Sequence, residues 1–288
     1  CEVTTLRKDG GYTDGRRPDN VTFGNDIAED LARRDFTINA MAIEPMKGLV
    51  GEECPSGKLI DLGGRGVKDL ESGLLRTVGQ AEERIGEDGL RIVRAFRFLD
   101  LGEGGLRKFD PELSVAISSN LPMLRKVSKE RIWNELQRVL SCSNSMRIVE
   151  SMAEHRIFEE ILPGISINTN TEPSDDYIVN LALICRDEES DGAEMSDRIA
   201  SLLRLSRKES SALSDLHECR KIDLDPSVES VRRFSATKSD TQKSQILDYK
   251  RGLGADTEDF ESELEKNSDL KAGSGPLVDG SRISEITG

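Results

Sequence analysis

One aspartate and three arginines recur at three-residue steps in "GEDGLRIVRAFRF" (residues 86–98): Asp88, Arg91, Arg94 and Arg97. At 100° per residue a helix puts these four on one side and Ile92, Val93, Phe96 and Leu99 on the other, with Leu90 and Phe98 intruding on the polar side. Every cation of the ladder is Arg and none is Lys. Arginine suits planar, bidentate recognition of oxyanions and base edges. An Asp beside an Arg matches the pairing edge of cytosine or adenine: the carboxylate accepts from the amino group while the guanidinium donates to the ring nitrogen. Guanine and uracil present the reverse order and set acceptor against acceptor, a mismatch that discriminates strongly in a desolvated site. An amphipathic helix with solvated ion pairs carries the same pattern and little energy.

A second charged cluster lies upstream. "LARRDFTINAMAIEP" (31–45) sets Arg33, Arg34 and Asp35 at the mouth of an apolar segment, with Asn39 inside it. The apolar spacing predicts one helical stretch around Ile27–Ala42, with this charged cluster at its front. A salt-bridged helix start is the plainer alternative.

Other chemistry-bearing residues are weaker. His155 and His217 lack partners for metal or acid–base work, and Asp223-Leu224-Asp225 reads as a solvated pair in polar helical sequence. Trp133 reads as core. Gly63-Gly64-Arg65-Gly66 can cradle a phosphate, although a turn between strand and helix explains it more simply. Lys126, Lys129, Arg131 and Arg138 are within reach of RNA phosphates in principle, or simply solvated.

These side chains must be positioned by a chain of 288 residues, 36% hydrophobic, with a formal charge of −14. Length predicts about two domains. The acidity is awkward for a nucleic-acid binder, because phosphate recognition wants a positive field. Residues 1–100 carry 15 basic and 19 acidic side chains, so most of the acidic excess falls later. A polyanion site must then be a local basic cluster. No membrane span or signal segment is legible. Five scattered cysteines with no C-x-x-C pair fit a reducing, cytoplasmic compartment.

Residues 1–80 mix short β-type runs (2–7, 59–62, 75–78) with Gly/Asp turns. Helical spacing then takes over in 82–101, 128–141, 145–162, 177–186 and 195–220, with Ser128 as a helix cap. Residues 221–275 are the most polar and predict loosely packed helices. The fold class is α+β.

"LARRDFTINAMAI", "LIDLGGRGVKDLESGLLRTVG", "EERIGEDGLRIVRAFRF" and "VSKERIWNELQRVL", in that order, resemble the later motifs of the class II nucleotidyltransferase family, the tRNA CCA-adding enzymes and bacterial poly(A) polymerases. The closing "GPLVDGSRISEITG" is similar to the family's C-terminal region. The resemblance implies a partial palm-like head with a short β-sheet (1–80), a helical neck (81–145), a helical body (146–220) and an incomplete tail (221–288). It implies that Arg34 contacts the incoming nucleotide with Asp35 beside it, and that Asn39 supports the ribose region. It further implies that Asp88 and Arg91 read the base, that Arg94 and Arg97 line the nucleotide site, and that Asp61, Gly63, Gly64 and Asp69 shape the head–neck hinge.

The family's chemistry uses a G-G-x-x-R-D turn and a D-x-D pair whose carboxylates hold two Mg²⁺ ions. Neither motif precedes Arg33, so no metal ligand is assigned in this chain and Mg²⁺ is expected only in the complete enzyme. Glu2 of "CEVTTLR" matches a strand carboxylate of the superfamily and is the one catalytic candidate; a surface Glu on an edge strand is its rival. Cys1 opens what reads as a strand and 276–288 reads as mid-element, so the expectation is a fragment, inactive alone. The implied activity is template-independent addition of C and A to the tRNA 3′ end from CTP and ATP, with RNA recognised by shape and backbone. Poly(A) addition, CC-only or A-only addition, and a non-catalytic RNA- or nucleotide-binding paralogue stay open.

Overall fold

The computed structural model describes residues 5–9, 21–45 and 57–267. They fall into two compact units, one drawn from 1–165 with 201–205, the other from 166–200 with the residues after 205.

In the first unit, β1 (Arg7–Asp9) pairs antiparallel with β2 (Val21–Phe23). Helix α1 (Ile27–Ala32) starts at Asp26, whose carboxylate accepts from the Ala28 N–H at 2.8 Å. The helix expected to run to Ala42 stops ten residues short. Asp35 turns its carboxylate onto the N–H of Phe36 (2.9 Å), a local bond that competes with helix continuation. Phe36 is extended and buried and bridges to Thr77, while Thr37 N donates to Arg76 O (2.9 Å) and Val78 N to Asp35 O (3.1 Å). A tertiary strand-like pairing has therefore overridden the helical spacing. After a single 3-10 turn, β3 (Met41–Pro45) pairs antiparallel with β4 (Gly57–Asp61).

The turn into α2 (Arg65–Ser72) uses Gly63 and Gly64 at φ 73° and 64°, where a side chain would be strained. Asp61 accepts from the N–H groups of Gly66 and Val67, both at 3.0 Å, so the glycine segment is a capped strand-to-helix turn. Asp69, buried on α2, accepts from Thr37 Oγ1 (2.7 Å) and Arg76 Nε (3.2 Å) and ties the loop after α1 to this helix. Next, β5 (Leu74–Leu75) pairs parallel with β6 (Lys108–Phe109).

Helices α3 (Ala81–Glu87) and α4 (Leu90–Arg97) are followed by α5 (Pro111–Ser119), α6 (Lys129–Leu140), α7 (Ser145–Glu154) and α8 (Ile157–Ile161). Ile92, Val93, Ala95 and Phe96 of α4 are buried, as are Ile132, Trp133, Leu136, Val139 and Leu140 of α6, the helix α4 packs against. Ser128 precedes α6 as expected, yet its hydroxyl makes no capping bond. His155 stacks edge-on against Phe96 and Phe109 (5.3 and 5.7 Å between ring centres) and is a partly buried packing residue.

The second unit contains α9 (Tyr177–Ile184), α10 (Gly192–Leu203) up to residue 200, α11 (Arg207–Cys219), α12 (Val228–Thr237), α13 (Asp240–Gly252) and α14 (Glu258–Lys266). Ile178 to Ile184 of α9 are all buried, and this helix packs on α11 and α13. Buried Asn180 is satisfied by reciprocal bonds with the Ser174 backbone, 2.7 and 2.8 Å. The polar stretch expected to be loose has a core of its own: Val231, Leu247 and Phe260 are buried together, and Ser239 and Gln242 form a capping box. His217 is buried with Nε2 on Ser190 O (3.0 Å), and Asp225 caps the turn at Ser227. Both fit the structural reading of these residues.

Candidate nucleotide-binding site

The loop after α1 and the segment at the α3–α4 junction converge in the first unit. Asp30, 2% exposed, accepts from Arg33 Nε (3.0 Å) and Arg34 Nη2 (3.2 Å). Arg34 is anchored at one nitrogen while 44% of its side chain stays exposed, which leaves donors open to an anion. Asp35 is a hub. Its Oδ1 takes Phe36 N and Asn39 Nδ2 (3.4 Å), and its Oδ2 takes Arg94 Nε (2.9 Å) and Nη2 (2.6 Å) across 59 residues of sequence. Asn39 thus reaches back to the loop's own carboxylate.

The expected ladder needs correction at its first rung. Asp88 does not share a helix with the arginines: it is extended (φ −151°, ψ 108°), at the break between α3 and α4. The Asp88 carboxylate accepts from Leu90 N (3.0 Å), a local bond that starts α4 afresh, while Gly89 is itself helical (φ −58°, ψ −21°) and lies against Met123, whose carbonyl oxygen would be 2.6 Å from an added Cβ. Beyond the break, Arg131 Nη2 lies 2.6 Å from Asp88 Oδ2 and Nη1 lies 3.4 Å from Oδ1. Arg91 is 8% exposed; its Nη1 donates to Arg84 O (2.6 Å) and to the Glu87 carboxylate. Among the described residues, Asp88 and Arg91 therefore bond to other partners and not to each other. Their capacity is not exhausted: Asp88 keeps acceptor capacity on Oδ2, and the Nε and Nη2 donors of Arg91 have no partner among the described residues.

The other two rungs meet a residue that sequence reasoning missed. Glu135 of α6, 5% exposed, accepts from Arg94 Nη1 (3.1 Å), has Arg97 Nε 2.8 Å from its Oε2, and has exposed Arg138 at 3.5 Å. The Arg97 contact is close but poorly aligned, so Arg97 Nε and Glu135 Oε2 form an ion pair without a hydrogen bond. Burial disfavours the Arg94 charge, but Asp35 and Glu135 together outweigh it and raise its pKa above the ordinary arginine value. For Arg97 burial is the largest influence and holds the pKa below that value, despite Glu135; the guanidinium lies 4.2 Å from the Phe98 ring centre. One signal for Glu135 was available: it lies among Ile132, Trp133, Leu136 and Val139 on the apolar side of α6.

Arg84 binds the two clusters together. Its Nε donates to Val78 O (2.7 Å), its Nη1 to Glu87 (2.9 Å) and its Nη2 to Ala32 O at the end of α1. Of the cations considered for RNA phosphates, Arg131 and Arg138 are engaged by Asp88 and Glu135, Lys129 donates to Ser201 O (2.8 Å), and Lys126 is exposed. Glu2 lies outside the described residues. Among the described residues no group of three His, Cys, Asp or Glu side chains could hold a metal ion. The described site residues offer guanidinium donors and a carboxylate acceptor rather than a divalent-metal cluster.

The chain matches two family profiles: "Poly A polymerase head domain" over residues 1–76 and "Probable RNA and SrmB- binding site of polymerase A" over 108–168. It is similar to the CCA-adding enzyme of Lactobacillus johnsonii (41% identity over 163 residues, 57% of this chain and 37% of that protein). It is likewise similar to that of Bacillus subtilis (40% over 164 residues, 57% and 37%). The match thus spans little more than a third of these relatives. The fold resembles the solved Bacillus stearothermophilus CCA-adding enzyme in complex with CTP (TM-score 0.70, 23% identity, 98% of this chain and 68% of that one). It also resembles the Thermotoga maritima CCA-adding enzyme complexed with tRNA (TM-score 0.58, 21% identity, 90% and 67%). These likenesses confirm the α+β class, with small sheets followed by helices.

Proposed function

We propose, from the profile matches of residues 1–76 and 108–168 and the similarity to CCA-adding enzymes, that this protein serves template-independent addition of C and A to the tRNA 3′ end, from CTP and ATP. The observation that carries the reading is the junction of the two clusters. Asp35 and Arg94 join the arginine loop to α4, while Asp88 and Arg91 keep an open acceptor and open donors beside it. In this reading Arg34 binds the triphosphate and Asp88 and Arg91 select an amino-bearing base. Arg94 and Arg97 line the site from α4. Asp35, with its oxygens occupied, positions Arg94 and Asn39, and Asn39 supports the ribose side.

The reaction itself is in-line attack of the tRNA 3′-OH on the α-phosphate with pyrophosphate leaving. Mg²⁺ dependence belongs to the same proposal; no residue of this chain is assigned as its ligand, and Glu2, outside the described residues, stays the catalytic carboxylate candidate. The order head, neck, body and tail, and a cytoplasmic site of action, are also parts of this reading. The test uses protein expressed from the complete coding sequence, tRNA lacking its 3′ CCA, and each NTP separately. Incorporation of CMP followed by AMP, with none from UTP or GTP, supports the reading. AMP added in long runs to any RNA end would indicate a poly(A) polymerase, and nucleotide binding without incorporation would indicate a non-catalytic paralogue.

A further inference from the structure

We propose that Arg131 is a positioning residue that sets base selectivity by holding the Asp88 carboxylate in one plane; this rests on the reading of Asp88 and Arg91 as the base-selecting pair. Asp88 lies in an extended residue between two helices, so no helical backbone constrains its side chain. Two contacts fix it. Oδ1 accepts from Leu90 N, and the Arg131 guanidinium spans both oxygens, closely at Oδ2 (2.6 Å) and more loosely at Oδ1 (3.4 Å). A carboxylate pinned at both oxygens directs its remaining acceptor capacity one way, and a fork-shaped guanidinium does this where an ammonium cannot.

The spacing on α6 supports the assignment. Arg131 and Glu135 are one turn apart, the separation of an ordinary intrahelical ion pair, yet neither is spent on the other. Arg131 reaches Asp88, and Glu135 reaches Arg94 and Arg97. A cation and an anion on α6 thus meet an anion and two cations at the α3–α4 junction and on α4, and fix the register between them. The Arg131 side chain is 30% exposed and that of Asp88 is 16% exposed, so the contact lies at the rim of the site, within reach of a ligand. This removes Arg131 from the cations available to RNA phosphates, although it falls within the stretch matched to an RNA-binding region.

The test measures CTP and UTP binding by calorimetry, and tRNA binding by gel shift, with the 288-residue chain in five forms: wild type, Asp88→Ala, Arg131→Ala, Arg131→Lys and Arg131→Gln. A well-placed hydrogen-bonding pair separates right from wrong bases by roughly tenfold or more, and the wild type is expected to favour CTP over UTP by at least that. Arg131→Ala should bring the two affinities within about threefold of each other, a collapse of one well-formed pair. Arg131→Lys should fall between, since it keeps the charge and loses the fork. If Arg131→Ala melts early, Arg131→Lys and Arg131→Gln decide by the same ratio. A wild-type ratio in the Arg131 variants, with the ratio lost in Asp88→Ala, overturns the role of Arg131 and leaves base reading intact. No CTP preference in the wild type overturns base reading itself. Loss of tRNA affinity in Arg131→Ala at an unchanged CTP to UTP ratio returns Arg131 to RNA binding and overturns the proposal.

Discussion

Replacing Glu135 by Gln removes one negative charge from a buried position and changes almost nothing else. The amide keeps the volume and one carbonyl acceptor for Arg94. Removing one partner of a fully buried ion pair costs about 3–5 kcal/mol. Here Arg94 retains Asp35, and the Arg94 and Arg97 side chains are 29% and 20% exposed, so part of the uncompensated charge is solvated. The expected loss is nearer ~2 kcal/mol, which at a urea dependence of ~2 kcal/mol per molar lowers the unfolding midpoint by about 1 M. Trp133, the single tryptophan, is buried on α6 two residues from the change, and its fluorescence reports the unit in question. A companion variant, Glu135→Met with Arg97→Met, should recover at least half of the loss, because paired apolar replacements of buried ions are often neutral. A Glu135→Gln midpoint within about 0.2 M of wild type, well under 1 kcal/mol by the same slope, would show that the charges on α4 do not depend on Glu135.

Gly89→Ala should displace Asp88 and lower stability by about 1–3 kcal/mol, because the new methyl meets the Met123 carbonyl; the same urea titration, with the CTP to UTP affinity ratio, checks both effects. Burial holds the pKa of His217 below the free histidine value of 6.5. The unfolded chain therefore takes up a proton that the fold resists, so this stabilisation is complete above about pH 6.5 and declines as pH falls toward the folded pKa. Between pH 7 and 5.5 the wild type should lose more stability than His217→Gln, read by circular dichroism in urea. Burial also pushes the Cys185 thiol well above its usual range, and the Cys142 thiol up to about 11. Mapping of alkylated sites in native protein at pH 8 should leave Cys185 unmodified until the chain unfolds.

The chemistry of the site was legible where residue type carries it. Arginines without lysines, an aspartate before them, and a second Arg-Arg-Asp cluster upstream pointed to the two clusters of the candidate site. The Asp35–Arg94 pair joins those halves directly. Geometry was less legible. The helical spacing of 27–42 was real as a pattern, but the pairing of 35–37 with 76–78 outweighed it, and no local signal announces a partner forty residues away. Asp88 fell at an acceptable wheel position, yet it is itself the extended residue that breaks the helix, with its carboxylate on Leu90 N. Glu135 was passed over because a glutamate in an otherwise good helix reads as surface; only its apolar neighbours on the same face marked it as buried. Trp133, the two histidines and the glycine turn after β4 behaved as their simpler readings required.

The pairing of 35–37 with 76–78 has a mechanical consequence. It fastens the loop that bears Arg34 edge-to-edge onto the chain that leads straight into α3, so the two clusters share one hydrogen-bonded support. Under the proposed function, transplanting α4 alone into another scaffold would leave behind the splint that aims it. An exchange of base preference between relatives would then have to move the loop, the lead-in strand and the helix as a single cassette.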